Sequence, residues 1–268
     1  MAIWQVWLTG LGAASALMVA TWVASVVRRD ASLVDRVWGF AFVVAAWTYA
    51  VTAGVWTPRT WLILALVTIW GLRLSIYLTA RNWGAGEDKR YQAMRARRPD
   101  TFAARSLVTI FLVQGVLAWL ISLPLLAAAG YEAPAQLIWL DYVAVVLWVV
   151  GMVFEAGGDW QLSRFLADPA NRGRVMDRGL WGVTRHPNYF GDTVVWWSFF
   201  VVALSTGAWW TVVGPLLMSV LIVKVSGVAL TDRNMAGDGS TREGYEQYVA
   251  TTNAFFPGPR RRRARRAH

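Results

Sequence analysis

The sequence predicts an all-α, polytopic membrane protein of seven transmembrane helices, with the N-terminus outside and the C-terminus in the cytoplasm. Of its 268 residues, 56% are hydrophobic and 16% are charged, where soluble domains average about 25% charged. The apolar residues gather into segments near the ~20 residues that a bilayer crossing requires. Arginine and lysine concentrate in every second connection, which is how loops retained on the cytoplasmic side are marked.

In chain order the expected spans are roughly 4–27, 33–54, 60–80, 105–128, 136–158, 190–207 and 209–232. The first is preceded by no basic region and followed by no small-residue cleavage site, so it is expected to be a span and not a signal peptide. Arg28 and Arg29 follow it. Arg81, Lys89, Arg90, Arg95, Arg97, Arg98 and Arg105 separate the third from the fourth. Arg164, Arg172, Arg174, Arg178 and Arg185 lie between the fifth and sixth. The sixth is short, and Ser205-Thr206-Gly207-Ala208 marks a tight hairpin into the seventh. The alternate connections hold only Arg59, which places all basic loops on one side. One domain, 1–257, is expected, followed by a disordered polybasic tail over 258–268 drawn to anionic membrane lipid.

Composition also excludes chemistry. The chain has no cysteine, so disulfides, thiolate catalysis and cysteine-ligated metal are absent. His186 is accompanied only by His268, and no metal is expected at a lone histidine. The net charge of +10 follows from the retained loops and calls for no nucleic acid as partner.

Ionisable groups within or at the ends of spans are costly and therefore candidates for function. Asp35 starts the second span, beside Trp38, with Arg36 or Arg73 its expected partner. Trp70, Arg73 and Tyr77 recur at helical spacing on the third. Glu155 and Asp159 stand one turn apart on the fifth. Either they tie helices through Arg73, Arg185 or Lys224, or they accept hydrogen bonds from a cofactor. Arg172 and Arg174, spaced by glycine, suit phosphate, as they also suit a solvated loop. Arg185-His186-Pro187-Asn188-Tyr189 sets donors at a helix start, where free N–H groups and the helix dipole favour an anion. That anion could be a nucleotide or a methyl donor. Tyr245 and Tyr248 are expected on a short amphipathic helix, as a lid or an interfacial anchor.

Together these residues form a longer pattern: Gly179-Leu180-Trp181-x-x-Thr184-Arg185-His186-Pro187-Asn188-Tyr189-Phe190-Gly191-Asp192, preceded by Gly151-x-x-x-Glu155-x-x-x-Asp159-x-Gln161 and followed by Tyr245-x-x-Tyr248 and Phe256-Pro257. This pattern resembles the bacterial steroid 5-alpha-reductase-like membrane family, which is similar to the 3-oxo-5-alpha-steroid 4-dehydrogenases and, more distantly, to sterol reductases. The resemblance is good over about 140–257. It implies a seven-helix bundle in the bacterial inner membrane, with a substrate half (1–128) open to lipid and a cofactor half (129–257) holding NADPH at the cytoplasmic side.

Carried over by position, Asp159, Asn188 and Asp192 match cofactor ligands of that family. Glu155 stands where the steroid enzymes have asparagine, and Asp192 where they have glutamate. The full expected cofactor set is Glu155, Asp159, Arg172, Arg174, Arg185, His186, Asn188, Tyr189, Asp192, Tyr245 and Tyr248. The glutamine–glutamate pair and the tyrosine that grip a steroid ketone have Asp35 and Trp70 as nearest counterparts here, with Tyr77 two turns on. Asp35 and Tyr77 are thus the expected acids, and Trp38, Trp70 and Arg73 the expected walls for a lipophilic substrate. Arg-His-Pro-x-Tyr-x-Gly also resembles isoprenylcysteine and phospholipid methyltransferases, which bind S-adenosylmethionine. Those enzymes carry paired glutamates after the last span, where this chain reads Leu230-Thr231-Asp232-Arg233.

Overall fold

The computed structural model describes residues 1–225, 227–228 and 243–261. The protein is all-helical, and among the described residues the single β-type pairing is an isolated bridge between Arg174 and Glu243. Five helices are long and apolar enough to cross a membrane: α1 (Ile3–Arg28), α2 (Leu33–Ala53), α3 (Pro58–Arg81), α5 (Phe102–Ile121) and α7 (Trp139–Ala167). Between them lie the hydrophilic helix α4 (Lys89–Arg97) and the short apolar helix α6 (Leu123–Gly130). The sixth expected span is helix α8 (Pro187–Leu204). The seventh is the shorter apolar helix α9 (Trp209–Val225), and residues 229–232 of that expected span fall outside the described residues. Helix α10 (Tyr245–Thr251) follows.

The first three spans end within a few residues of their expected limits, because hydropathy and end signals agree there. Arg29 at φ +52° and Gly54 at φ +69° close α1 and α2 in the left-handed conformation. Thr57 caps α3 by accepting from the Thr60 N–H, with Pro58 at its first turn. The later spans depart from expectation. The fourth breaks at Ser122, so that the segment to 130 becomes the separate helix α6. The fifth runs on to Ala167, nine residues past 158, because nothing in Asp159–Ala167 stops a helix before Pro169.

The described chain divides into two compact units. The first comprises Met1–Tyr142 with Phe199–Gly214. Here α1, α2 and α3 run antiparallel in sequence. Lipid offers no hydrophobic gain for pairing helices, so close approach depends on small residues and buried polar contacts. α2 and α3 cross at Gly39 and Gly71, where a Cβ on either would lie 2.6 or 2.5 Å from the other's carbonyl oxygen. Thr9 and Thr52 share a 3.2 Å hydrogen bond between α1 and α2. Trp119 of α5 stacks on Trp7 of α1 at 3.9 Å and donates to its carbonyl. Tyr49 and Ser122 hydrogen-bond at 2.7 Å in the interior. Exposed Trp4, Trp56, Trp61, Trp139 and Trp209 mark helix ends, where indole rings sit at a membrane interface.

At that tryptophan-rich end, Arg59 and Asp141 are both completely buried. The guanidinium grips the carboxylate with two 2.9 Å bonds and also donates to the carbonyls of Pro134 and Gln136. The Ile138 N–H satisfies Asp141 further. The one basic residue in the connections otherwise free of positive charge is therefore neutralised inside the protein, and it leaves the charge bias of the loops intact.

The second unit comprises Val143–Ser198 with the chain from Pro215 onward. Its α7 and α8 cross at Gly151 and Gly191, where a Cβ on Gly151 would lie 2.8 Å from the Gly191 carbonyl. Trp197 of α8 donates to Ser219 of α9. Residues 258–261, the start of the expected tail, are hydrogen-bonded in the structure. Gly258 donates to the Val183 carbonyl, Arg261 to the Thr251 carbonyl, and Arg260 to the carbonyls of Asp177 and Gly182. Backbone partners, absent from any view of composition, hold these residues; 262–268 lie outside the described residues.

The basic loops yield a direct expectation about sidedness. Reporter fusions within 85–100 and after Arg261 should read as cytoplasmic, and a fusion within 129–135 as external. An external C-terminus would overturn the placement of the proposed cofactor residues at the cytoplasmic surface.

Candidate functional site

In the second unit, one face of α7 is written for the start of α8. Gly151 lets the helices touch. One turn on, Glu155 is 2% exposed, and a further turn on, Asp159 is 5% exposed. Gly158 lies between them, where a Cβ would come within 3.1 Å of Pro187 and 3.2 Å of the Asn188 N–H nitrogen. Its carbonyl accepts from the Trp181 indole at 3.0 Å, and Gln161 accepts from the Leu180 N–H at 3.0 Å. Gly179, at φ +57°, is pressed against Gln161 in a conformation that side chains resist. The spacing Gly151, Glu155, Gly158, Asp159, Gln161 is thus a complementary surface for 179–192.

The Asn188 side-chain N–H donates to Asp159 at 3.1 Å, and its oxygen accepts from the Tyr189 N–H. His186 is 3% exposed, with its ring stacked on Tyr189 at 5.5 Å. Asp192 follows Asn188 by one turn, half-buried, and Arg185 is half-buried with its N–H on the Asn253 carbonyl. The start of α8 carries Arg185, His186, Asn188, Tyr189 and Asp192 against the α7 face of Glu155 and Asp159. Arg172 and Arg174 sit farther along the loop, exposed.

Two cavities border those arginines. One, of about 540 Å³, is lined by Asp168, Arg172, Gly173 and Arg174. The other, of about 390 Å³, is lined by Arg174, Arg178, Glu243, Tyr248 and Arg260. The chain beyond Glu243 forms one wall, strapped down by the Glu243 N–H on the Gly173 carbonyl and the Tyr248 hydroxyl on the Trp181 carbonyl at 2.7 Å. Tyr248 is buried in this packing and does not serve as a surface anchor, whereas Tyr245 is half-buried. Arg178 and Arg260 were missing from the expected site. Their glycine-flanked, basic setting was visible in the sequence, but their convergence required the strap.

The first unit holds the expected substrate residues. Trp70 is completely buried, 5.8 Å from Phe42 and 6.0 Å from Phe199, so it fills the core. Trp38 meets Phe42 edge-on at 5.2 Å. Arg73 and Tyr77 are half-buried, and Arg81 lies over the Tyr77 ring. Asp35 does not pair with Arg36 or Arg73, as expected from proximity. Arg36 binds Asp30 at 2.9 Å. Asp35 instead accepts from Arg90 at 3.0 Å and from the Tyr91 hydroxyl at 2.9 Å.

Both donors come from α4, which folds against the α1–α2 turn. Glu87 accepts from the Ala31 N–H and from Arg95, whose guanidinium lies 4.4 Å over the Phe102 ring. Burial works against the Glu87 charge, yet the Arg95 and Ala31 donors hold its carboxyl below the ordinary range. Burial, and then the Asp35 carboxylate, push the Tyr91 phenol well above its ordinary range, so it keeps its proton. Tyr91 is the functional candidate that sequence reasoning missed. Its one signal was being the sole aromatic in a helix otherwise composed of charged and small polar or apolar residues.

The long apolar helices and this site define an all-helical protein of membrane type, with two buried carboxylates on α7 and arginine-lined cavities in the same unit. Residues 21–252 match the family described as Protein of unknown function (DUF1295), and the chain belongs to that family. No curated protein and no solved structure matches it.

Proposed function

We propose that this chain is an NADPH-dependent reductase of a carbon–carbon double bond, conjugated to a carbonyl, in a lipophilic steroid-like or other lipid substrate. The observation that carries this reading is the pair of buried carboxylates, Glu155 and Asp159, at the start of α8 with arginine-lined cavities in the same unit. Such a donor–acceptor set fits the cofactor. Carboxylates accept from ribose hydroxyl and amide groups, arginines give paired bonds to phosphates, and Gly173 at φ +78°, with open space around it, lets backbone approach.

When bound, NADPH supplies a hydride for the β-carbon of the substrate. Glu155 and Asp159 would orient the sugar and amide groups, with Asn188 fixing the Asp159 carboxylate. Arg172 and Arg174 would hold phosphate, and Arg185, His186, Tyr189, Asp192, Tyr245 and Tyr248 would complete the walls. Asp35, in its protonated form, would provide the acid function and regain its proton from solvent after turnover, with Tyr91 positioning its carboxyl and Tyr77 the alternative donor. A hydrogen bond to the substrate oxygen stabilises the developing enolate. The site is proposed to face the cytoplasm of a bacterial inner membrane.

The test is ligand-dependent stability of the detergent-solubilised protein. NADPH at a hundredfold excess over its Kd should add about 2.7 kcal/mol. Asp159→Ala should abolish that gain while leaving unliganded unfolding unchanged. Arg172→Ala and Arg174→Ala should weaken NADPH more than NADH, since NADH lacks the additional ribose phosphate. Stabilisation by S-adenosylmethionine and not by NADPH would replace this reading with a membrane methyltransferase, in which Glu155 and Asp159 have no assigned task.

A further inference from the structure

Beyond the basic-end side of the Gly39–Gly71 crossing, α2 and α3 diverge and leave a groove of about 670 Å³, bordered by Val37, Phe40, Ser75, Ile76, Thr79 and Trp83. Ile76 is 67% exposed and Trp83 78%. The walls are apolar along the helices, while Arg36 closes the groove at the α2 start. The two helices are knotted at its floor by the Phe40 N–H on the Ser75 hydroxyl, 3.0 Å. The groove therefore has a built shape and is more than a gap between loosely packed residues.

Its charge is one-sided. The Arg36 guanidinium spends one N–H group on Asp30, and its Nε is buried with no hydrogen-bond partner among the described residues. A buried donor without an acceptor is destabilising. At this end of α1–α3 the basic Arg28, Arg29, Arg36, Arg81, Lys89, Arg90 and Arg95 outnumber the acidic Asp30, Asp35, Glu87 and Asp88, so the net charge favours an anion. Trp83, exposed just past α3, supplies the indole that interfacial depth favours.

We propose that this groove holds an anionic glycerophospholipid from the leaflet on the basic side. One acyl chain would lie against Val37, Phe40 and Ile76, and the phosphate would meet Arg36. The occupant's chemistry follows from a mainly apolar groove bordered by a single arginine. This proposal does not rest on the reductase reading: Arg36, Val37 and Ile76 adjoin Asp35, Trp38 and Tyr77 in the chain, but none of the groove residues belongs to the proposed cofactor or substrate sets.

The experiment is native mass spectrometry of protein exchanged into mixed micelles containing phosphatidylglycerol or phosphatidylcholine with identical chains. Wild type should retain phosphatidylglycerol in excess by about fivefold, the preference expected for one cation at a charged bilayer surface. Arg36→Gln should bring the two lipids to parity, and Ile76→Trp, which fills the channel, should reduce retention of both. Equal retention in wild type, or an unchanged preference in Arg36→Gln, would overturn the proposal. Should Arg36→Gln fail to fold, a phosphatidylglycerol with a photoactivatable acyl chain decides on the wild type. Labelling concentrated in 36–40 and 75–83 supports the groove; labelling spread evenly over α1 and α5 refutes it.

Discussion

Arg59→Ala is expected to lower the stability of the protein by about 3–5 kcal/mol, the cost of leaving one member of a buried ion pair without its partner. Asp141 would keep the Ile138 N–H but lose both guanidinium bonds. The carbonyls of Pro134 and Gln136 would lose their donor at the same time. Water cannot repair this, because both side chains are fully enclosed. Unfolding in graded detergent mixtures would measure the loss. The matched double variant, Arg59→Met with Asp141→Leu, should recover most of it, since replacing both charges removes the unpaired group. A single variant within about 1 kcal/mol of wild type, the range of exposed pairs, would show that this end of the bundle is held by something else.

The second large effect concerns turnover. Asp35→Asn should leave NADPH binding unchanged and reduce enone reduction by ~10²–10⁴-fold, the usual contribution of acid–base help. Tyr91→Phe should also lower turnover, because it removes the hydroxyl that positions the Asp35 carboxyl through a 2.9 Å hydrogen bond. Arg90→Gln should do much less. That ion pair is substantially exposed, at 48% and 30% for its side chains, and such pairs contribute little. Tyr77→Phe completes the series: a loss there with normal Tyr91→Phe turnover would assign the proton to α3. Cofactor consumption with a panel of lipophilic enones provides the measurement. Full turnover in Asp35→Asn, Tyr91→Phe and Tyr77→Phe alike would mean that these side chains only tie helices together.

The difference between Arg90 and Arg36 as partners of Asp35 shows where sequence reasoning stops. Arg36 is the next residue, but successive helical residues do not face each other, and Arg36 turns to Asp30 instead. Arg90 and Tyr91 reach Asp35 from 55 and 56 positions away. No periodicity in α2 announces that approach. The same limit applied to Trp70. An indole on a span can face a ligand or a neighbouring helix, and only packing against Phe42 and Phe199 decides for the core.

By contrast, the contact between α7 and the start of α8 was readable because its pattern is local in two short stretches. Gly151, Glu155, Gly158 and Asp159 keep helical spacing, so the face was predictable before its partner was known. Pro187 announced the start of α8, as proline does at a first helical turn. The positions of Arg178 and Arg260 were not readable in this way. They meet at one cavity only because the backbone between Glu243 and Arg261 is hydrogen-bonded onto 173–185.

What the sequence by itself determined is therefore the helical class and the limits of the first three long apolar helices. Each depends on transferring one segment at a time between water and lipid, and that free energy is a sum over neighbouring residues. The break at Ser122, the burial of Arg59 on Asp141 and the closure of Tyr91 on Asp35 were decided by tertiary structure. Each joins or limits segments through contacts between residues distant in the chain, and the energy of such a contact exists only once both partners are in place.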